Sequence, residues 1–445
     1  MIERYPSYKD VVGVNQIECI PSGWNVVKLK NLFSMRAGKN LTSEKIDPST
    51  GSYLVYGGNG IRGYYKEYNT EGPCLLVGRQ GALCGNIHRV QGKIWATDHA
   101  VITKPKGNLV SHSYGYYLLT FMNLNQYAND AAAQPGLSVS DIQNLPTCLP
   151  PPVEQEQISS FLDWKVSDIN QLINLKRREI NVLQERMTVE ISNLVYGKKE
   201  QGKRKELDLH GNITIPEKWS TFQNKRLFRE RVEHTETGTE QLLSVSRHYG
   251  VKPYSELEEN EQFATIKPAL SLVGYKKVAK GDLVMNIMRA QNGSFGISEY
   301  DGIVSPAYCV YEPIRELDGK YIHYLYKTPE MIGLFSANSY GIVEHRRRLY
   351  ADRFLRMFTA LPSIEEQHQI ACEIESIQHK LKGNIALYEK QVQYLQELKT
   401  RLISDAVTGQ IDVRGIEIPD YEYVADQPDT SVDDNEDDEL SEEDA

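Results

Sequence analysis

Arginine, asparagine, glutamine and histidine side chains set among glycines are the groups in this sequence with the most distinctive chemistry, and what they suit is hydrogen bonding to base edges. Arginine matches guanine with two parallel donors, Asn and Gln match adenine with a donor and an acceptor, and glycines let a loop enter a groove. In the first half of the chain the candidates are Asn59 and Arg62 in Gly58-Asn59-Gly60-Ile61-Arg62-Gly63, then Arg79 and Gln80, then Asn86 and His88. In the second half they are Arg247 and His248 beside Tyr249, then Arg289, Gln291 and Asn292, and the run Arg346-Arg347-Arg348. Three adjacent cations supply charge more readily than selectivity, so Arg346, Arg347 and Arg348 are expected on phosphates. Any one of these residues alone would be an ordinary solvated loop side chain. His99, in Ala96-Thr97-Asp98-His99-Ala100, reads as a structural histidine rather than a reader.

Other chemistries find no support. The string Gly58 to Gly63 has the letters of a dinucleotide fingerprint, but that fingerprint needs its last glycine to open a helix, and β-leaning Tyr64-Tyr65-Lys66-Glu67-Tyr68 follows instead. No phosphate loop ending in Gly-Lys-Ser or Gly-Lys-Thr, no His-Glu-x-x-His and no Asn-Pro-Pro-aromatic signature of amino methyltransferases occurs. A nuclease acting alone would require clustered acidic metal ligands. The six cysteines, at 19, 74, 84, 148, 309 and 372, form no close pair of metal-ligand type. The chain is therefore expected to be non-catalytic, with no metal or cofactor of its own, in a reducing cytoplasm. No run approaches 18 apolar residues and no secretion signal is visible.

The elements that must position the candidate readers are written twice. Leu149-Pro150-Pro151-Pro152-Val153-Glu154-Gln155-Glu156-Gln157-Ile158 opens one stretch and Leu361-Pro362-Ser363-Ile364-Glu365-Glu366-Gln367-His368-Gln369-Ile370 opens another. The two stay in step without a gap to Gly197 and Gly409. Prolines precede each stretch, an acidic first turn follows, and glycine ends it, which is the grammar of a helix. Val166, Ile173, Ile180, Met187 and Leu194 recur every seven residues, with Leu162, Ile169 and Leu183 in a companion row. Ile374, Leu381, Tyr388, Leu395 and Leu402 do the same in the second copy, with Ile385 and Val392 beside them. These heptads predict two long helices that seek each other, with Lys176, Glu190, Gln378 and Lys399 as register-setting interruptions. About 43 residues at 1.5 Å rise make a rod of roughly 64 Å, suited to a spacer.

The chain then divides into an N-terminal arm (1–19), a globular domain (20–148), a long helix (149–197), a charged connector (198–212), a second domain (213–360), a second helix (361–411) and an acidic tail (412–445). The domains start alike, Ile20-Pro21-Ser22-Gly23-Trp24 and Ile215-Pro216-Glu217-Lys218-Trp219. They share an apolar strand, Leu75 to Gly78 against Leu283 to Asn286, a short helix near Tyr114 to Met122 or Tyr321 to Tyr326, and an aspartate turn at Asp141 or Asp352. Short glycine-punctuated strands predict mixed α+β domains. The net charge of −10 resides in the tail: from Asp420 onward there are 13 acidic residues and no basic one, and without them 50 basic residues face 47 acidic. Such a tail reads as disordered and solubilising, or as a competitor of DNA phosphates for a basic groove.

With these motifs the chain resembles the specificity subunits of type I restriction-modification systems. The resemblance runs over roughly 20–415 and is carried by the Ile-Pro-x-x-Trp domain starts, the Pro and Glu-Gln helix starts, and a second half repeating the first. It implies two target-recognition domains alternating with two helices in an antiparallel coiled coil with pseudo-twofold symmetry. Each domain would read half of a bipartite site in double-stranded DNA, and the helix pair would set the gap. The helices would also dock two methyltransferase subunits acting on adenine N6, with up to two restriction-translocase subunits recruited through them. The helix-start residues Glu154, Gln155, Gln157, Glu366, Gln367 and Gln369 are the expected docking residues. S-adenosylmethionine, ATP and Mg2+ would reside on the partners. The alternative is a coiled-coil scaffold that binds proteins without DNA specificity.

Overall fold

The computed structural model describes residues 3–14, 17–80, 84–128, 136–207, 213–247, 249–258, 269, 271–341 and 347–426. His248, Arg346 and the acidic run from Asp433 to Glu439 lie outside the described residues. The chain forms two compact units, Met1–Arg177 with Lys390–Pro428, and Arg178–Glu389.

Both expected helices form, over Pro152–Val195 and Ile364–Val407. Each contributes one end to each unit. In the first unit Ile169 and Ile173 cluster with Val392, Leu395 and Leu402, while Ile158, Phe161 and Leu162 join Ile403, Ala406 and Val407 in the domain core. The start of one helix thus meets the end of the other, so they run antiparallel. The second unit repeats this, with Leu194 and Val195 against Ile370, Ala371 and Ile374. Lys399, one of the polar interruptions, donates to Asn170 Oδ1 at 3.3 Å and pairs with Asp426.

Each globular domain is built on a four-stranded antiparallel sheet of the same order. In the first it reads Phe33–Ala37, Ala100–Pro105, Cys74–Gly78, Ile87–Val90; in the second, Phe228–Glu230, Tyr308–Pro313, Leu283–Asn286, Phe295–Ile297. Leu75–Gly78 and Leu283–Asn286, matched in the sequence, occupy the same place. A second layer also recurs: the hairpin Tyr53–Gly57/Gly60–Tyr65 runs parallel to Lys93–Ala96, and Leu243–Ser246/Gly250–Pro253 is bridged in parallel to Gly302–Val304 through Leu242 and Ile303. The predicted short helices form at His112–Phe121 and Gly319–Tyr326. The aspartate turns are short helices, Val139–Asn144 and Ala351–Arg356, because Ile142 and Phe354 are fully buried there and a helical turn satisfies their backbone.

Three segments, the arm, the connector and the tail, carry more structure than their composition suggests. The arm and the connector are one motif used twice: Tyr8–Asp10 pairs with Cys19–Pro21, and Arg204–Glu206 with Thr214–Pro216. Each caps the end of a long helix. Tyr8 donates its hydroxyl to Gly409 O at 2.8 Å, and Arg204 donates to Gly197 O at 2.7 Å and Tyr196 O at 2.9 Å. The tail is packed rather than loose as far as Asp426. Val413 is fully buried, Ile416 and Ile418 pack on the first core, and Val424 accepts from Asn170 at 2.9 Å and donates to Ser167 at 3.2 Å. Apolar residues every few positions give this stretch something to bury before the acids become continuous.

Candidate nucleic-acid interface

In the first domain the tip Gly58–Asn59 joins two strands that close at Gly57 and Gly60. This is a hairpin turn, which removes the dinucleotide reading on structural grounds. The tip lies backbone to backbone on its neighbours: a Cβ at Gly58 would fall 2.9 Å from His99 O and 3.1 Å from Gln80 O. Glycine is needed there to permit that approach. Arg79 N donates to His99 O at 2.8 Å, and its guanidinium reaches Asp98 O at 3.4 Å. The His88 ring lies under the tip, 3.6 Å from where a Gly60 Cβ would sit. Burial lowers the proton affinity of this imidazole, so at neutral pH it is uncharged and holds one donor and one acceptor.

Asn59, Arg79, Gln80 and His88 therefore converge at one end of the first domain, with exposed Asn86 on the adjoining strand turn, where its carbonyl accepts from Gly78 N at 2.8 Å. Arg62 stands apart. Its stem lies against Gly57 and its guanidinium is 3.4 Å from Ser43 Oγ. His99, read as structural, brings its backbone to the cluster and leaves its ring half-exposed, 4.0 Å from Asp98.

The second domain builds the corresponding end from different side chains. The hairpin tip carries Arg247 and Tyr249, and the turn after Leu283–Asn286 carries Arg289, Gln291 and Asn292 in the 3-10 segment Ala290–Asn292 and its cap. The strands that leave the two loops pack on each other: a Cβ at Gly296, in Phe295–Ile297, would lie 3.1 Å from Gly250 Cα, the first residue of Gly250–Pro253. Gln291 donates to Met288 O at 3.0 Å, while its buried Oε1 has no partner among the described residues. Arg347 is exposed and Arg348 half-buried; the backbone bond Leu349 N to Ile287 O, 2.8 Å, brings this stretch beside the Arg289 turn. Burial pushes the Tyr308 phenol up to about 12, next to Tyr249, Asn286 and Arg289. Sequence reasoning missed Tyr308, His323 and Lys327 here. The signal available was the four-residue spacing of His323 and Lys327, which puts both on one helix face.

The helix-start residues turn inward. Glu154 accepts from Tyr5 at 3.0 Å and from Trp24 Nε1 at 2.9 Å, and Glu366 accepts from Trp219 Nε1 at 3.2 Å and pairs with Lys218 at 3.2 Å. Gln155 and Gln367 are 1% and 3% exposed; Gln155 accepts from Ser111 N and Gln367 from Asp318 N, at the caps of the two short domain helices. Gln157 donates to Val413 O at 3.0 Å and Ile416 O at 2.7 Å. These five tie each helix start to its own unit, and only Gln369 among the six is exposed. The Glu-Gln signature and the Ile-Pro-x-x-Trp signature are thus two sides of one contact.

Among the described residues no group of three His, Cys, Asp or Glu side chains is placed to hold a metal ion, and no helix is long and apolar enough to cross a membrane. What the two clusters can do is present donors and acceptors on loops held by backbone contacts to neighbouring strands.

Comparison with known proteins agrees with this construction. Residues 21–183 match the family described as type I restriction modification DNA specificity domain. The Escherichia coli type I restriction enzyme EcoprrI specificity subunit is 43% identical over 138 residues, which cover 30% of this chain and 34% of that protein, about a third of its length. A Haemophilus influenzae protein provisionally named a type I restriction enzyme specificity subunit is 24% identical over 373 residues, 78% of this chain and 88% of that one. Among solved structures, one chain from work on complex assembly and conformational transition of the type I R-M system shares the fold, with TM-score 0.59, 13% identity and coverage of 88% of this chain and 99% of that one. The chain is thus similar to type I restriction-modification specificity subunits, with the match to the family's DNA specificity domain carried by residues 21–183.

Proposed function

We propose that this chain supplies the DNA address for a methyltransferase complex, each globular domain reading one half of a bipartite duplex site. The observation that carries this reading is the duplication of one scaffold with two different sets of polar groups. The same sheet and the same pair of loops hold Asn59, Arg79, Gln80 and His88 in one domain and Arg247, Arg289, Gln291 and Asn292 in the other. A scaffold repeated with its loop chemistry changed is what reading two unlike half-sites requires. The long helices set the gap, because two readers gain combined affinity only when their separation matches that of their sites.

The helices also dock the methyltransferase chains, which bring S-adenosylmethionine for adenine N6; motor and nuclease chains using ATP and Mg2+ join through them. Support comes from a second apolar row on each helix that faces solvent. Leu175, Val182 and Val189 are 47%, 60% and 56% exposed, and Leu387, Tyr394 and Leu398 are 53%, 56% and 52% exposed. Exposed apolar rows at heptad spacing suit partner helices. This chain itself performs no bond-making step in the reading.

The test is to map N6-methyladenine across host DNA with the gene intact and deleted. Loss of methylation at one bipartite motif is expected and would deliver both half-sites and the gap. If no motif disappears, the chain is a protein-interaction scaffold instead.

A further inference from the structure

The hairpin tip at Arg247 and the turn at Arg289–Gly293 come from distant parts of the sequence, yet both must hold one spacing if their side chains are to meet consecutive bases. One side chain spans them. Lys327 caps the end of the helix Gly319–Tyr326 and donates from Nζ to Arg247 O at 2.9 Å and to Gly293 O. Its ammonium also lies 5.0 Å from the centre of the Phe295 ring. One turn back on the same face, the His323 ring is 4.0 Å from where a Gly250 Cβ would sit, so the helix braces the hairpin at two points. A half-buried ammonium shared by two carbonyls is a strong, directional tie, since hydrogen bonds from a charged donor are roughly twice as strong as neutral ones.

The first domain does the same task differently. There Asn125 donates to Cys84 O at 3.0 Å and its backbone packs on Gly85, while the hairpin tip is held by Gly58 against His99 and Gln80. Among the described residues no cation joins those two loops. The second domain therefore ties its two loops through a cation, Lys327, in a role that no cation takes among the described residues of the first.

We infer that Lys327 is a positioning residue that sets the selectivity of the second domain for its half-site, by fixing the hairpin tip and the Arg289 turn relative to each other. It touches neither base nor phosphate in this role. The inference rests on the bipartite reading above. The depressed proton affinity of the ammonium, lowered to about 8 by burial and by Arg247, accords with its enclosure.

The experiment selects bound duplexes from a random pool with the full chain purified together with its associated subunits, comparing wild type, Lys327→Met and Lys327→Arg. Wild type is expected to return a bipartite motif. Lys327→Met is expected to keep the half read by the first domain within about twofold and to lose about 10-fold or more of the discrimination in the other half, the worth of one well-placed base contact. Lys327→Arg, which restores charged donors, should recover most of that loss. Should Lys327→Met unfold the domain, Lys327→Gln carries the same test. Unchanged discrimination in both halves would overturn the inference. So would a uniform fall in affinity for all sequences with a shallower salt dependence, because that marks a phosphate contact. A wild-type chain that returns no motif overturns the bipartite reading, and this inference with it.

Discussion

Arg79 and Arg289 stand in matching places, each just beyond the strand that ends the same position in its sheet. Arg79→Ala should relax one half of the recognised site and Arg289→Ala the other, each by about 10- to 100-fold in discrimination against a wrong base, with the gap unchanged. Competition binding with duplexes altered in one half at a time reads this directly. An equal loss of affinity for every sequence would place these arginines on phosphates. His323 gives a second residue-scale expectation. Burial first, and the nearby Lys327 second, lower its imidazole to about 4. The unfolded chain takes up that proton near the ordinary value of 6.5, so between the two the unfolded state binds more protons. Stability of the second unit should therefore fall as pH drops from about 6.5 to about 4, by at most on the order of 3 kcal/mol. Urea unfolding across that range should show the slope, and His323→Phe should flatten it. Little of this was legible in the sequence, because a lone histidine or lysine carries no sign of which carbonyls the fold will bring to it.

The long helices were the most legible elements, since a seven-residue repeat over 44 residues admits few alternatives. Their glycine stops were legible too, but the reason for glycine was not. Gly197 and Gly409 have φ of +56° and +71°, and a Cβ would fall 2.7 Å and 2.5 Å from Pro216 Cγ and Pro21 Cγ. Either glycine changed to alanine should cost at least about 1–2 kcal/mol from the left-handed backbone alone, with the collision in addition. Gly383, inside the second helix with nothing within 4 Å of an added Cβ, should behave oppositely, with Gly383→Ala stabilising by about 0.5–1 kcal/mol. Thermal unfolding of the three variants separates these outcomes. For the spacer role, inserting four residues in both helices lengthens each by about 6 Å, close to two base pairs. The methylated motif should keep both halves and widen its gap, and an unchanged gap would sink the ruler.

For the whole molecule, the outward apolar rows carry the expectation about assembly. Val182→Asp combined with Tyr394→Asp should abolish co-purification of methyltransferase chains while moving unfolding by no more than about 0.5 kcal/mol per site, the usual range for surface changes. The sequence by itself determined the repeat, the two helices, the mixed α+β class and the family resemblance, because heptads, helix punctuation and paired signatures are local patterns read along the chain. Of the first-domain candidates, Asn59, Arg79, Gln80 and His88 gather at one end, since glycine turns between strands tend to collect there, while Arg62 stands apart against Gly57 and Ser43. Only the tertiary structure decided what the repeated polar residues at the helix starts do. Glu154 and Glu366 hold the tryptophans that open each domain, and Gln155 and Gln367 are buried at the caps of the domain helices. It also showed that the arm and the connector are the same hairpin, and that the tail is packed as far as Asp426. These contacts join residues separated by as many as 147 positions, and no local pattern encodes a partner that only burial and backbone geometry bring within reach.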